Sequence, residues 1–317
     1  MKWAMLFAAA LTARADNLGW IENRGGAVTR DGARVTGVRI DLAWVSDGDI
    51  AALAALPDLK ALDLSFTLIT DAGMEQLSSL RRIETLNLQS AELLTDTAIA
   101  HIRGWKQLRA LNLRGTDVTD TSMEYITGLT ALESLDISYT QVTNNGMEYL
   151  APLIQMQELS IGGNKISGPG LHILKSLPRL ERLNLSGAQK RNSGTWATTL
   201  TEADMATIGA FKTLETLDLA GLRVSNLGLA QLRSLTKLRE IDLSKTQVTS
   251  DGLATLAAMP DLATVKLWMA AGVDDAAAAQ LAGLRKLRLL DVTETALTQA
   301  GVERIHKALP ACRILGR

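Results

Sequence analysis

The sequence predicts an α/β fold: a right-handed solenoid of about eleven short units bent into a horseshoe, with a parallel sheet on its concave face and short helices on its convex face. Three observations carry that prediction. The pattern Leu59-x-x-Leu62-x-Leu64 returns as Leu108-x-x-Leu111-x-Leu113, Leu132-x-x-Leu135-x-Ile137 and Leu214-x-x-Leu217-x-Leu219. Units start at 35, 59, 83, 108, 132, 156, 180, 214, 238, 262 and 287, so every step is 24 or 25 residues except one of 34. Within each unit the apolar spacing changes from two to three. A fixed period this short means stacked units, each too small to hold a core alone.

Residues 59–82 serve as the type unit. Leu62-Asp63-Leu64 alternates apolar and polar, which predicts a short strand with Leu62 and Leu64 inward and Ala61, Asp63 and Ser65 outward. Thr70 then suits a helix N-cap, and Asp71 suits the positive end of the helix dipole. Met74, Leu77 and Leu80 mark one face of a short helix or helical turn. The cap step recurs as Thr95-Asp96, Thr119-Asp120, Thr143-Asn144, Thr201-Glu202 and Ser225-Asn226. Strands stack about 4.8 Å apart and helices about 8–10 Å apart, so the helical side must spread and the strands line the inside of a curve.

The ends differ in kind from the array. Lys2 precedes the apolar run Trp3–Leu11, and Ala13-Arg14-Ala15 offers small residues for cleavage, so 1–15 reads as a secretory signal. The run is too short to span a bilayer. Residues 16–34 are expected to form an N-terminal cap, 35–311 the repeat array, and 312–317 a C-terminal cap. Cys312 falls 25 residues after Leu287, on a core position, and reads as a buried thiol. This layout implies an exported protein, periplasmic or extracellular; a cytoplasmic one is the alternative, with the N-terminal run acting as a capping helix.

Composition narrows the function classes. The formal net charge is −1 with no basic face, which argues against nucleic acid. One cysteine rules out an internal disulfide framework and a cysteine-based zinc site, and the three histidines His101, His172 and His306 lie far apart without ligand spacing. No Walker-type loop is present, so no cofactor or metal is expected, and no enzyme.

The motif Leu-x-x-Leu-x-Leu-x-x-Thr-x-Val-Thr-Asp-x-Gly, clearest at 108–121 and 132–146, resembles a leucine-rich repeat. It is similar to the 24-residue helical subtype found in the recognition halves of F-box proteins, a cysteine-containing subtype, and in bacterial repeat proteins. The resemblance covers 35–317. It implies a recognition scaffold that binds other proteins along the concave face and does no chemistry. Two features depart from the subtype: its usual cysteines are missing, and 34 residues are too few for an F-box domain ahead of the array. The ending Gly301-Val302-x-x-Ile305 with Leu309-Pro310-x-Cys312-x-Ile314 is similar to the closing segment of exported bacterial arrays.

Candidate contact residues follow from the outward strand positions. The central series runs Arg39, Asp63, Asn87, Asn112, Asp136, Ser160, Asn184, Asp218, Asp242, Lys266, Asp291; the next runs Asp41, Ser65, Gln89, Arg114, Ser138, Gly162, Ser186, Ala220, Ser244, Trp268, Thr293. Against this small polar background Lys266 and Trp268, with Met269 beyond, stand out, and Arg114 with Tyr139 makes a second cluster; aromatic residues beside a charge are what binding hot spots prefer. The ten extra residues of the long step, 188–197, are expected to bulge as a loop carrying Lys190, Arg191 and Trp196, part of the ligand site. Eleven strands showing three residues each give on the order of 500 Å2, which suits a protein or extended polymer better than a metabolite. The expected partner is therefore a protein, bound by a monomer with no integral membrane segment. A ubiquitin-ligase-type adaptor and a polysaccharide or cell-wall binding module are the alternatives.

Overall fold

The computed structural model describes residues 18–41 and 44–316, so the expected signal at 1–15 lies outside the described residues. The chain divides into two compact units, with the division between Gln155 and Met156. The first holds β1 (Ala27–Asp31), β2 (Arg34–Arg39), β3 (Ala61–Asp63), β4 (Thr85–Asn87), β5 (Ala110–Asn112) and β6 (Ser134–Asp136). β1 is antiparallel to β2; from β2 to β6 each strand is parallel to the next. The second holds β7 (Glu158–Ser160), β8 (Arg182–Asn184), β11 (Thr216–Asp218), β12 (Glu240–Asp242), β13 (Thr264–Lys266), β14 (Leu289–Asp291) and β15 (Arg313–Leu315), all parallel in that order.

Register follows the repeat. Leu62 faces Leu86, Leu86 faces Leu111 and Leu111 faces Leu135 in the first unit; Leu159, Leu183, Leu217, Ile241, Val265 and Leu290 line up in the second. All of these are buried, as the period-two reading requires. Cys312 is buried too, and burial raises its thiol pKa. Ahead of the first parallel pair, the short helix Gly19–Asn23 keeps Ile21 in the core, and Leu18 is buried with it.

The motif's polar positions each have a bond to make. At the central strand position an Asp or Asn side chain accepts the N–H two residues on: Asp63 from Ser65 at 3.0 Å, Asn112 from Arg114 at 3.0 Å, Asp136 from Ser138 at 2.8 Å, Asp242 from Ser244 at 2.9 Å. These are local Asx turns. They explain the Asp/Asn background more directly than the crowding of a curve does. Three residues further on, the chain turns through a left-handed residue in unit after unit: Phe66, Ser90, Gly115, Tyr139, Gly163, Gly187, Gly221, Lys245, Met269 and Glu294. The threonine that follows closes the turn, as when Thr67, Thr116 and Thr246 donate to the carbonyls of Leu64, Leu113 and Leu243 at 2.6–2.7 Å.

The helix-start threonines cap as expected: Thr70, Thr95, Thr119 and Thr143 each accept from the N–H two residues on. The aspartate after them does more than face a helix dipole. Asp71 accepts both the N–H (2.9 Å) and the hydroxyl (2.6 Å) of Thr95 in the next repeat. Asp47 clasps Thr70, Asp96 clasps Thr119, Asp120 clasps Thr143 and Asp275 clasps Thr298 in the same way. Asn226 accepts the Thr249 N–H at 2.9 Å. The motif's glycine makes room for this: a Cβ on Gly73, Gly146 or Gly301 would overlap the clasping carboxylate of Asp47, Asp120 or Asp275. Where the glycine is replaced by Ser122, its own N–H and hydroxyl bond Asp96 instead.

One expectation fails here. Ser65, Ser138 and Ser244, read as outward, are buried. Each strand is only three residues long, so the pleat ends before them and the Asx turn draws them in. The insertion 188–197, expected to bulge as a loop, takes the form of an antiparallel hairpin: β9 (Ala188–Arg191) pairs with β10 (Gly194–Ala197) across the turn Asn192-Ser193, and Gly194 has a positive φ.

Candidate recognition surface

The candidate surface is the polar face of the sheet in the second unit. Strands β7, β8, β11, β12 and β13 form the floor of an open cavity of about 220 Å3 lined by Glu158, Ser160, Arg182, Asn184, Thr216, Asp218, Glu240, Asp242 and Lys266, with Leu159, Leu183 and Leu217 between. Parallel pairing sets these side chains side by side: Glu158 beside Arg182, Asn184 beside Asp218, Asp218 beside Asp242, and Asp242 beside Lys266. Glu158 is ion-paired to Arg182. Lys266 donates to Glu240 at 2.6 Å and lies 3.8 Å from Asp242.

The electrostatics follow from burial and neighbours. Burial pushes the Asp218 carboxyl above its ordinary range; the Ala220 N–H opposes that rise, and the neighbouring Asp242 charge adds to it. The Asp218 carboxylate also accepts the Ser186 hydroxyl at 2.9 Å. Burial alone would lower the Lys266 ammonium, but its bond to Glu240 and the fields of Glu240, Asp242 and Asp218 outweigh it and raise the pKa. The cavity therefore holds four carboxylates against two cations, with each cation already engaged by an acid. Asp218 and Asp242 each accept a backbone N–H, at 2.9 Å in both cases, and stand in different surroundings.

Beside this cavity, Trp268 continues the strand of Lys266. The Lys245 ammonium sits 4.0 Å from the centre of its ring and its indole N–H points to Glu294 at 3.4 Å. Met269, 41% exposed at a φ of 55°, follows. Lys266, Trp268 and Met269 thus share one strand end, and Lys245 and Glu294 come to them from the repeats on either side. In the first unit the Arg114 guanidinium lies 4.3 Å from the Tyr139 ring centre, so these two pair as well. On the hairpin Trp196 bonds Ser193 at 2.8 Å and lies 5.9 Å from the Arg191 guanidinium, while Lys190 is exposed. No hairpin residue lines the cavity.

Sequence reading missed Glu158, Arg182 and Glu240. The same register contains their signal. They occupy the outward position just before the central one, where other units carry Ala61, Thr85, Ala110 and Ser134. Charged residues at a position that is small and uncharged in the earlier repeats are the signal that marks them.

Among the described residues no group of three or more His, Cys, Asp or Glu is placed to hold a metal ion, and no helix is long and apolar enough to cross a membrane.

Residues 55–78, 128–151 and 234–257 each match the leucine-rich repeat family model. No curated protein sequence matches the chain. Among solved structures it is similar to an internalin (inlF) from Listeria monocytogenes str. 4b F2365, at 17% identity and a TM-score of 0.61, over 98% of this chain and 87% of that one. It is also similar to an internalin C2 (inlC2) from the same strain, at 24% identity and a TM-score of 0.47, over 74% and 80% of the two chains. With the rungs, caps and turns described above, the three family-model matches and the likeness to the inlF structure make the fold a leucine-rich-repeat solenoid, built on a mainly parallel sheet with short helices.

Proposed function

We propose that this chain is a non-catalytic recognition scaffold that binds a protein partner across its sheet face. The observation that carries the reading is Trp268. Most central and neighbouring outward positions are small polar groups tied to their own backbone, and these offer a partner little. Trp268, by contrast, is a half-buried indole held by a lysine on its ring and a glutamate at its N–H, with Lys266 and Met269 alongside. A pre-ordered aromatic beside charge is a hot-spot arrangement. Arg114 with Tyr139, and Lys190, Arg191 and Trp196 on the hairpin, are proposed as further contacts.

The test is a pull-down with the full chain, wild type against Trp268→Ala, followed by titration calorimetry with the protein captured. Binding weakened by about tenfold or more is expected for a central aromatic. Unchanged affinity in a folded variant counts against the site. Deleting 188–197 tests the hairpin in the same assay. We further propose that the protein acts outside the cytoplasm, with residues 1–15 as its signal; N-terminal sequencing of the protein recovered from cells checks this, and an intact Met1 in the mature form refutes it.

A further inference from the structure

Trp44, Leu68 and Leu93 occupy the same place in three successive repeats, on the loop that leaves the strand, and stand 85%, 49% and 50% exposed. Their loops run side by side, with the Leu68 N–H donating to the Val45 carbonyl at 3.0 Å and the Asp117 N–H to the Leu94 carbonyl at 3.1 Å. The next residues in that series, Asp117 and Gln141, are polar and bonded to each other, so the apolar run ends after the third repeat. Phe66, half exposed, adjoins Leu68 at a φ of 59°. Gly115 and Gly163 hold that turn position in other repeats, and Tyr139, Lys245 and Met269 hold it in others still. The Phe66 ring is only half covered by its own chain.

The four side chains expose on the order of 400–500 Å2 of apolar surface. A stable dimer needs about 800 Å2 from each side, so this stripe is too small to hold two copies together. Its width suits one short element, and its spacing says which. The bonds at Leu68 and Asp117 hold those pairs of loops at about the 4.8 Å of neighbouring strands. Apolar residues at i, i+3 or i+4, and i+7 of an α-helix recur about every 5–6 Å along one face. Same-face residues of an extended strand recur about every 6.6–6.8 Å and fall out of step within three repeats.

We propose that the stripe of Trp44, Leu68 and Leu93, with Phe66 at its side, is a docking site for one amphipathic α-helix of a partner protein, laid along the succession of repeats so that three apolar turns meet the three residues. The proposal uses no residue of the sheet-face site and stands without it.

Selection from a displayed library of helical peptides on the immobilised full chain tests it. Enriched peptides are expected to carry apolar residues at three- and four-residue steps. They should bind about tenfold or more weaker to Trp44→Ser/Leu68→Ser/Leu93→Ser, and unchanged to Trp268→Ala. Leu68 is half buried, so Trp44→Arg alone replaces the triple variant if that variant loses its cooperative circular-dichroism melt. The proposal is overturned if no such helix is enriched, if the enriched peptides alternate every second residue, or if they bind Trp44→Arg as tightly as wild type. It is also overturned if sedimentation shows self-association of the wild type that Trp44→Arg abolishes, which would assign the stripe to a second copy.

Discussion

Gly73→Ala reverses an ordinary rule. Gly73 lies inside the helix Asp71–Leu77, where replacing glycine by alanine normally stabilises by about 0.5–1 kcal/mol. Here the new Cβ would overlap Asp47 Oδ1 and approach Ile50 Cδ1 at 3.1 Å. Asp47 must then swing away from Thr70, whose N–H (2.8 Å) and hydroxyl (2.6 Å) it accepts. Two charge-assisted bonds are worth about 1.5–3 kcal/mol each when buried; with both partners half exposed, about 2–3 kcal/mol together is a fair figure. Subtracting the helix gain leaves a loss of about 1–2 kcal/mol. The assay is the urea midpoint by circular dichroism, with amide exchange over 70–77 as a local readout because long arrays need not unfold in one step. The same substitution is then made in Asp47→Ala, where the clash is gone and about 0.5–1 kcal/mol of stabilisation should return. A higher midpoint for Gly73→Ala in the native background refutes the clasp argument. So does a coupling below about 0.5 kcal/mol between the two sites.

Other outcomes follow from the turns and the charges. Gly221, at φ 77°, has open space around its would-be Cβ, so Gly221→Ala should cost about 1 kcal/mol from backbone strain alone, while Ser90→Gly at φ 54° should gain up to about 1 kcal/mol; thermal melts compare them. The raised pKa of Asp218 means that folding favours its protonated form, so its ionisation removes stability as pH rises from the ordinary carboxylate range through the raised value. Asp218→Asn should therefore stabilise at neutral pH and lose that advantage in acid, and Asp242→Asn should lower the Asp218 pKa seen by carboxyl-carbon NMR. Asp275, held low by the hydroxyl and N–H of Thr298, has the opposite sign: its contribution is present above the ordinary carboxylate range and fades as pH falls through its depressed value. Its carboxyl resonance should titrate below the ordinary range, and in Thr298→Val it should move back toward it. Cys312, buried and with its pKa raised, should react with a thiol reagent slowly in native protein and rapidly in urea.

What was legible in advance was whatever repeats within one unit. The rungs at Leu62, Leu111, Leu135 and Leu217 needed only period two, and the caps at Thr70, Thr95, Thr119 and Thr143 needed only a polar residue before an apolar step. The clasp was invisible to that reading. Asp71 and Thr95 are 24 residues apart, and nothing local says that stacking brings them together. The hairpin at 188–197 was hidden by its composition: Lys190, Arg191 and Asn192 look like loop, yet Asn192-Ser193-Gly194 is a usable turn between two short runs. At the candidate surface, Lys266 and Trp268 stand out as exceptions in a polar series, whereas Glu158, Arg182 and Glu240 hold a position that is small and uncharged in the earlier repeats (Ala61, Thr85, Ala110, Ser134), so the type unit gives no hint of them. The stripe of Trp44, Leu68 and Leu93 went unseen for a related reason: each residue looks like an ordinary loop hydrophobe until the 24- and 25-residue steps align them.

From Asp47 through Asp71, Asp96 and Asp120 the aspartate-to-threonine link has a direction, since each of these repeats supplies the acceptor and its successor the donors. Cutting out one whole period therefore leaves a matched donor and acceptor at the new junction, while cutting half a period strands one of each. The array should lengthen or shorten in whole steps with little penalty, and resist any other change of length. That quantised tolerance gives a duplicating gene a ready way to vary its reach without redesigning the joint.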